Sequence, residues 1–478
     1  MTNRIRTLRR LVCACLPVSL LLGQPGQTRA QTEDQQSQVD RMFRVFGENT
    51  PGAAVAVVRN GEVLFRAGYG MADLNQHVPI TPATVFDIAS VSKQFGGFAI
   101  ASLVESGLVD LDAEVREYLP ELADFGAPLT VRHLVHHMSG IRDWPITLAI
   151  AGWRFDDVIS FDQILRMTWA QKELNFPSGD EYSYSNTGYN LLAEIVQRAT
   201  GQTFREWTDE NIFAPLGMES SLFQDNHLEV VPLRARGHSL VPGAGWLESP
   251  NGLTALGSSS LHSSVDDLVK WLTNFDTHAV GGPAVIDRMH TRGVLNSGDT
   301  IAYAYGISTG SYRGIPTWSH TGSWAGNRTA IIHLPTLNAG IVVLSNSANY
   351  DPTRTANRLA DIFFDDELGS SPPPREESEP ADQEPGPTLS ETALAEFTGE
   401  WFSEELDTRY VLSAVNGRLV ADHYRHGRVQ MTPTATDIFT STGLFFRPVR
   451  FERNPDGSLG DMFVGQARAR NLRFERAR

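Results

Sequence analysis

The sequence of 478 residues contains only two cysteines, Cys13 and Cys15, and both lie among its first thirty residues. Without that segment the chain would have neither a disulfide nor cysteine chemistry. The sequence also lacks an excess of positive charge, since 40 lysines and arginines stand against 56 aspartates and glutamates, for a formal net charge of -16. Binding nucleic-acid phosphates requires a basic face, so this balance disfavours a nucleic-acid partner.

Long hydrophobic runs are equally scarce, and the most apolar one occupies residues 11–23. Arginines are frequent in the ten residues before it, and a small-residue sequence ending at Ala30 follows it. This order is typical of a secretory signal over residues 1–30, cleaved to leave Gln31 first. The run is short for a bilayer, which disfavours an uncleaved membrane anchor; a lipidated Cys15 is a minor alternative. The mature chain is therefore predicted to be secreted or periplasmic, without an integral membrane span.

The pattern along the rest of the chain predicts an α/β (α+β) fold over residues 31–368. Helical and loop patterns occupy residues 83–290, and β-rich runs lie on either side of them. The predicted strands are residues 53–58, 63–65, 315–320, 329–334 and 341–344, with a closing helix over 354–364. Strands at both ends predict one antiparallel β-sheet flanked by helices, with a helical subdomain inserted in the middle.

A second, smaller domain is predicted at the C-terminal end. Residues 369–388 are rich in proline, glutamate and serine and indicate a flexible linker. Beyond it, short apolar runs alternate with turn signals such as Asn416-Gly417 and Asp456-Gly457. Among these runs are residues 410–415, 419–420, 445–446 and 463–464. Residues 389–478 are therefore predicted to form a small all-β, barrel-like domain.

Lysine is the rarest of the charged residues, with only Lys93, Lys172 and Lys270 in the whole sequence. Lys93 stands three residues after Ser90, at the start of an apolar and therefore buried helix. This spacing puts both side chains on one face of the first turn. A partly desolvated amine there could take the proton of a serine hydroxyl, which is otherwise a weak nucleophile. The alternative is an N-cap serine followed by a solvated lysine.

Two further segments carry candidate functional groups. Tyr184 and Asn186 precede an amphipathic helix; a phenol near the charge of Lys93 would have a lowered pKa and could exchange protons. The alternative is that Asn186 or Thr187 caps this helix. On a later strand, Gly322 would let a substrate approach the backbone closely. The alternative for that strand is an ordinary edge strand with its polar residues facing outward.

Taken in this order, three motifs resemble those of the serine β-lactamase and penicillin-binding superfamily. They are Ser90-Val91-Ser92-Lys93, Tyr184-Ser185-Asn186 and His320-Thr321-Gly322. The resemblance is to class C β-lactamases and their DD-peptidase, D-aminopeptidase and esterase relatives, and it covers roughly residues 35–366. The ordered trio is far more specific than any one motif alone.

The resemblance implies a role for each matching residue. A substrate amide or ester would acylate Ser90, Lys93 and Tyr184 would share the proton transfers, and His320 would stand beside them. Asn186, Thr321, Gly322 and Ser323 would bind the substrate, with the amides of Ser90 and Ser323 as the oxyanion hole. No cofactor is implied.

One departure narrows the expected activity. Class C β-lactamases usually carry lysine where this chain has His320, and a neutral histidine attracts a carboxylate less strongly. The pattern is similar to DD-peptidases and D-aminopeptidases, so a peptidase of DD-carboxypeptidase or D-aminopeptidase type is expected. Its substrate would be a small molecule or peptide: a D-amino-acid peptide, an ester or a β-lactam. The alternatives are an esterase, a weak class C-like β-lactamase, and a non-catalytic cell-wall or β-lactam binding protein.

The histidines His133, His136 and His137 raise the possibility of a metal site. No cysteine or paired carboxylate near them completes a ligand set. The sequence therefore predicts no metal, and His137 matches a family position with a structural role.

Overall fold

The structure is a computed structural model that describes residues 25–370, 386–443 and 445–477. Most of the predicted signal, including both cysteines, lies outside the described residues, as does most of the predicted linker, so both stay predictions. Within the described ranges, every helix is too short or too polar to cross a membrane.

A six-stranded antiparallel sheet forms the centre of the larger domain, in the order β10-β11-β12-β13-β1-β2. Its strands are β1 (Ala53–Arg59), β2 (Glu62–Tyr69), β10 (Ser308–Tyr312), β11 (Ile315–Trp324), β12 (Asn327–Leu334) and β13 (Ala339–Ser345). The two ends of the domain meet where β1 pairs with β13, from Ala53 opposite Ser345 to Arg59 opposite Ala339. This confirms the predicted antiparallel sheet built from both ends.

The edge strand β10 has no counterpart among the predicted strands. Its sequence, Ser-Thr-Gly-Ser-Tyr, is polar and partly exposed, so it lacks the apolar alternation that marks a strand. The remaining short strands form small separate sheets. They are β3 (Met71–Asp73), β4 (Val78–Pro79), β5 (Phe86–Asp87), β6 (Leu222–Phe223), β7 (His238–Val241), β8 (Gly245–Glu248) and β9 (Leu261–Ser263).

Helices cover both faces of the central sheet and fill the inserted region. In chain order they are α1 (Pro25–Met42), α2 (Lys93–Glu105), α3 (Val131–Val135), α4 (Trp144–Ile150), α5 (Phe161–Trp169), α6 (Asn186–Thr200), α7 (Phe204–Thr208), α8 (Ala214–Leu216), α9 (Val265–Thr277), α10 (Gly282–Met289), α11 (Pro352–Phe364) and α12 (Glu391–Ala395). Strand β1 is buried almost throughout because its side chains alternate between two hydrophobic cores, one on each face. Helix α2 is buried over residues 93–101 and packs in the larger core, so its first turn is held in place by packing.

The C-terminal domain is a closed eight-stranded barrel, which confirms the predicted fold class. Its strands are β14 (Gly399–Ser403), β15 (Thr408–Val415), β16 (Arg418–His423), β17 (Gly427–Ala435), β18 (Ile438–Ser441), β19 (Val449–Arg453), β20 (Leu459–Gln466) and β21 (Ala469–Arg476). One apolar run differs from expectation, because Phe445 and Phe446 lie in the connection between β18 and β19. Phe446 is buried in the barrel core, whereas Phe445 packs at its margin.

The barrel is joined to the larger domain by apolar packing and buried polar contacts. Ile146 and Ile150 of α4 belong to the barrel's own hydrophobic core. The hydroxyl of Tyr410 donates to the carbonyl of Ile150 at 2.8 Å, and the buried Arg142 forms an ion pair with Glu405. This interface fixes the start of α4 against the turn between β20 and β21.

Buried histidines give the fold a predicted sensitivity to mild acid. Burial lowers the pKa of His136, His137, His262, His290 and His320, to about 3 for the last two. At pH values between these lowered pKa values and the pKa of histidine in the unfolded chain, about 6.5, the unfolded chain binds more protons than the native state does. We therefore expect the free energy of unfolding to fall as pH drops from about 7 to 5, measured by denaturant titration.

Single substitutions can separate the contribution of these histidines from the loss of stability that other titrating groups cause in acid. Replacing His290 by glutamine should flatten the pH dependence, whereas the same change at the exposed His77 should leave it unaltered. Each pH unit between the folded and unfolded pKa corresponds to at most about 1.4 kcal/mol per group. An unfolding free energy that stays constant over this interval would contradict the prediction.

Candidate active site

Ser90 lies on a sharply constrained turn. Residues Ala89–Ser92 form a 3-10 turn that runs into α2, so Ser90 precedes the regular helix whose first turn it was predicted to share. Ala89 has a φ of +50°, a conformation that costs a non-glycine residue about 1–3 kcal/mol. Its amide donates to Asp87 Oδ1 at 2.8 Å, and Asp87 Oδ2 accepts from Asn251 at 2.7 Å. The surroundings therefore hold the strained turn that presents Ser90.

Strand β11 packs directly against this turn, and Gly322 makes that possible. A Cβ at Gly322 would lie 2.3 Å from the carbonyl oxygen of Ile88. The same oxygen accepts a hydrogen bond of 2.9 Å from Thr329 Oγ1. From the sequence, Gly322 is expected to leave room for a substrate beside the strand. In the structure, the backbone at Ile88 occupies that space. Gly322 therefore brings the strand edge close to Ser90.

Lys93 is completely buried and makes three polar contacts. Its Nζ lies 3.2 Å from Ser90 Oγ, 2.7 Å from Asn186 Oδ1 and 2.8 Å from the carbonyl oxygen of Ser258. The two carbonyl-type oxygens can only accept, so they use two N–H bonds of a neutral amine. The lone pair of such an amine is then left for the hydroxyl hydrogen of Ser90.

The electrostatics of Lys93 favour this neutral form. Burial lowers the pKa of Lys93 well below its ordinary value, and the cation of Arg468 lowers it further, while Asp143 opposes both. An amine that loses its proton readily is able to take one from a serine hydroxyl. The contact with Ser90 is thus suited to proton transfer.

Tyr184 completes the immediate surroundings of the hydroxyl. Its ring lies 4.8 Å from Lys93 Nζ, and the Ser90 side chain interacts with its phenol in a way that favours a lower pKa. From the sequence, the charge of Lys93 is expected to lower the phenol pKa. That expectation is wrong, because burial of Tyr184 dominates and raises its pKa. Tyr184 therefore keeps its proton and is suited to donating it.

Asn186 links the amine to a buried carboxylate. While its Oδ1 accepts from Lys93, its Nδ2 donates to the two oxygens of Asp143 at 3.0 and 3.3 Å. Neither Asn186 nor Thr187 is the cap of α6: the cap is Ser185, whose hydroxyl accepts from Gly188 N. Both ends of the Asn186 amide are thus engaged within the protein, although the side chain also lines the cleft.

His320 is held neutral beside Tyr184. Its Nε2 lies 3.0 Å from the hydroxyl of Tyr303, and its Nδ1 lies 2.7 Å from the carbonyl oxygen of Thr321. The carbonyl can only accept, so Nδ1 carries the hydrogen and Nε2 accepts from Tyr303. Burial, aided by Lys93, lowers the pKa of His320 to about 3. The ring is therefore uncharged at physiological pH and can act as a polar but not cationic wall.

These side chains surround one cleft of about 470 Å³. All eight residues of the predicted site except Lys93 line it, and Lys93 lies directly beneath Ser90. The other wall is largely aromatic and aliphatic, and two of its residues, Phe445 and Arg468, belong to the barrel. The remaining lining residues are Trp144, Pro145, Ile146, Phe155, Tyr182, Leu253, Ser259, Tyr303, Ser308, Trp324, Phe445 and Arg468.

The three neighbouring histidines have separate partners. His133 accepts from the Thr130 amide, His136 contacts the carbonyls of Arg132 and Thr291, and His137 accepts from the Ser185 amide. The contact of His137 suits the structural role implied for it. In the described parts of the chain, no three His, Cys, Asp or Glu side chains converge as metal ligands would.

Three residues of the site escaped the sequence analysis: Asp143, Tyr303 and Arg468. Asp143 is buried and pairs with Arg468 of the barrel at 3.2 Å, and Tyr303 is a buried partner of His320. None of them lies in a motif, and each becomes visible only through contacts between distant segments.

Comparisons with known proteins agree with the arrangement. A family model described as Beta-lactamase matches residues 39–363. The chain is 29% identical over 310 residues to a D-aminopeptidase of Gluconobacter oxydans, covering 65% of this chain and 58% of that protein. The chain thus matches little more than half the length of this curated relative.

Two solved structures share the fold. The penicillin-binding protein homologue of Pyrococcus abyssi, an octamer, has a TM-score of 0.60 at 21% identity, over 94% of this chain and 99% of that one. The D-amino acid amidase of Ochrobactrum anthropi has a TM-score of 0.57 at 23% identity, over 70% of this chain and 97% of that one. At these identities the likeness concerns the fold alone.

Proposed function

The chain belongs to the beta-lactamase family, and on that premise we propose that it is a serine hydrolase that works through an acyl-enzyme on Ser90. One observation carries the proposal: a completely buried lysine, whose pKa is lowered by its surroundings, lies 3.2 Å from the hydroxyl of Ser90. A buried amine of lowered pKa beside a serine hydroxyl is typical of a proton acceptor in an active site.

In the first half of the reaction, Ser90 Oγ attacks the carbonyl carbon of an amide or ester. Lys93 accepts the hydroxyl proton as the new C–O bond forms. The amides of Ser90 and Ser323, both lining the cleft, stabilise the negative oxygen of the tetrahedral intermediate, typically by about 3–4 kcal/mol for each donor. The turn that holds Ser90 is fixed beforehand, so little reorganisation is required.

In the second half, the tetrahedral intermediate expels the leaving group. The phenol of Tyr184, which retains its proton, donates it to the leaving nitrogen or oxygen and is reprotonated from Lys93. Water then attacks the acyl-enzyme, with the same side chains moving its proton, and the carboxylic acid leaves. Lys93 and Tyr184 thus act as a pair, with Lys93 as the group that first receives the proton.

The proposed substrate is a peptide or amide of a D-amino acid, cleaved by an activity of DD-carboxypeptidase or D-aminopeptidase type. The D-aminopeptidase relative supports this class, and so does the fold shared with a D-amino acid amidase. His320 itself offers a β-lactam carboxylate no charge, unlike the lysine that class C β-lactamases usually carry at this position. An esterase, or a binder that is acylated without turnover, would be separate outcomes of the test.

Intact-mass measurement tests the proposal. The full chain is incubated separately with a penicillin, an acetylated D-alanyl-D-alanine peptide and a short-chain nitrophenyl ester. We expect peptide and ester products to accumulate over many turnovers, and the penicillin to leave a long-lived adduct on Ser90, located by peptide mapping. An acyl adduct that never turns over with any compound would favour the binding protein, and absence of both adduct and product would overturn the proposal.

A further inference from the structure

The barrel contributes one side chain to the cleft whose chemistry the proposed reaction does not use. Arg468 is the only charged side chain among the described residues that line the cleft, and no carboxylate lines it. We propose that Arg468 binds the terminal carboxylate of the substrate, so that the barrel selects carboxylate-bearing peptides over peptides with a free amine. This inference rests on the proposed function and decides between its two peptidase types.

The position of Arg468 is built into the domain interface. It lies in the turn between β20 and β21, and its carbonyl oxygen accepts from the Asp143 amide at 2.8 Å and from Asn175 Nδ2 at 3.0 Å. Two residues on, the amide of Arg470 donates to Asn175 Oδ1 at 2.7 Å. The backbone at Arg468 and Arg470 is therefore hydrogen-bonded to the larger domain, at Asp143 directly before α4 and at Asn175.

The guanidinium of Arg468 is held by an ion pair, and part of the side chain stays exposed. It contacts Asp143 Oδ2 at 3.2 Å, and its Cζ lies 5.7 Å from the ring centroid of Tyr184. The Arg468 side chain is 40% exposed, whereas Asp143 is fully buried. A guanidinium has five N–H donors, and in the described residues its one ion pair engages a single edge of the fork. Arg468 and Ser90 line the same cleft.

The charge pattern separates the two peptidase types. An aminopeptidase has to accept a free ammonium next to the scissile bond, and here that ammonium would meet a guanidinium of like charge. The one nearby carboxylate, Asp143, lies behind the wall and already accepts from Asn186 and Arg468. A carboxypeptidase substrate instead brings a carboxylate, which a guanidinium binds through paired, charge-assisted hydrogen bonds. The cleft therefore suits the carboxypeptidase type.

Three peptides with the same scissile bond test the inference. They are acetyl-D-alanyl-D-alanine, its C-terminal amide, and D-alanyl-D-alanine amide with a free amine. For the wild-type chain we expect kcat/KM to be highest for the acid and lowest for the free amine. In Arg468→Gln, kcat/KM for the acid should fall roughly 10–100-fold more than kcat/KM for the acetylated amide, mainly through KM, because any effect on Lys93 or Asp143 would act on both peptides alike.

Two further variants separate substrate binding from domain docking. Arg468→Lys keeps the charge without the fork and should restore part of the preference for the acid. Arg470→Gln removes a neighbouring interdomain ion pair with Glu181, outside the cleft, and should leave all three rates unchanged. Equal losses on the acid and the amide in Arg468→Gln would show that Arg468 only supports Asp143, and would overturn the proposal.

A second readout decides the matter even without peptide turnover. The rate at which a fluorophosphonate labels Ser90 is measured with and without each peptide as competitor. We expect the acid to protect the wild-type serine better than its amide, and the difference to vanish in Arg468→Gln. Equal protection by acid and amide overturns the role of Arg468, whereas failure of Ser90 to be labelled at all would contradict the proposed hydrolase itself.

Discussion

Replacing Ser90 by alanine is expected to abolish hydrolysis of the nitrophenyl ester and labelling by a fluorophosphonate, without loss of the fold. Without the hydroxyl oxygen no acyl-enzyme can form, and removal of such a nucleophile costs about 10⁴–10⁶-fold in kcat. The turn is held by backbone contacts to Asp87 and Thr329 that do not involve the Ser90 side chain. The unfolding midpoint should therefore stay close to that of the wild-type chain.

The matched control is a second serine of the same cleft. Ser308 lines the cleft but takes none of the three hydrogen bonds of Lys93. Ser308→Ala should thus retain covalent labelling, with at most a modest change in KM. Undiminished hydrolysis by Ser90→Ala would exclude Ser90 as the nucleophile and overturn the assigned mechanism.

Replacing Lys93 is expected to reduce ester hydrolysis by about 10³-fold or more, a size typical of losing a general base together with its orientation. Lys93→Arg keeps a cation, but a guanidinium does not lose its proton at usable pH. That variant also buries a permanent charge, whereas the lysine has a lowered pKa and can lose its proton, so the variant should unfold more easily. Lys93→Met removes the base without burying a charge, so its activity should fall equally while its stability drops less than that of Lys93→Arg, through the lost bonds to Asn186 and Ser258.

The other lysines supply the control for the charge itself. Lys172 is exposed and pairs with Glu404 at 2.6 Å, so Lys172→Arg should leave the rate unchanged. The measurement is kcat/KM for the ester between pH 6 and 10, with denaturant unfolding on each variant. Retention of wild-type turnover by either Lys93 variant would show that another group takes the Ser90 proton.

Features of this protein that depend on local spacing could be predicted from its amino-acid sequence. Ser90 and Lys93 are one turn apart, so their proximity needs only a helix start. The β-rich runs at both ends of the domain also indicate which segments build the sheet. The repeated apolar runs after residue 388 likewise sufficed for the all-β domain, because a strand's side-chain period is visible along the chain.

Only the tertiary structure decided how these parts act on one another. The pKa of Tyr184 rises rather than falls because packing buries it, and the degree of burial is not encoded in any spacing. Gly322 lets its strand approach the backbone at Ile88, and Asn186 donates a hydrogen bond to Asp143. Both contacts join segments far apart in sequence. Arg468 enters the cleft only because the barrel docks on α4. Desolvation and long-range hydrogen bonds depend on the whole packed arrangement, whereas motifs report only on neighbours along the chain.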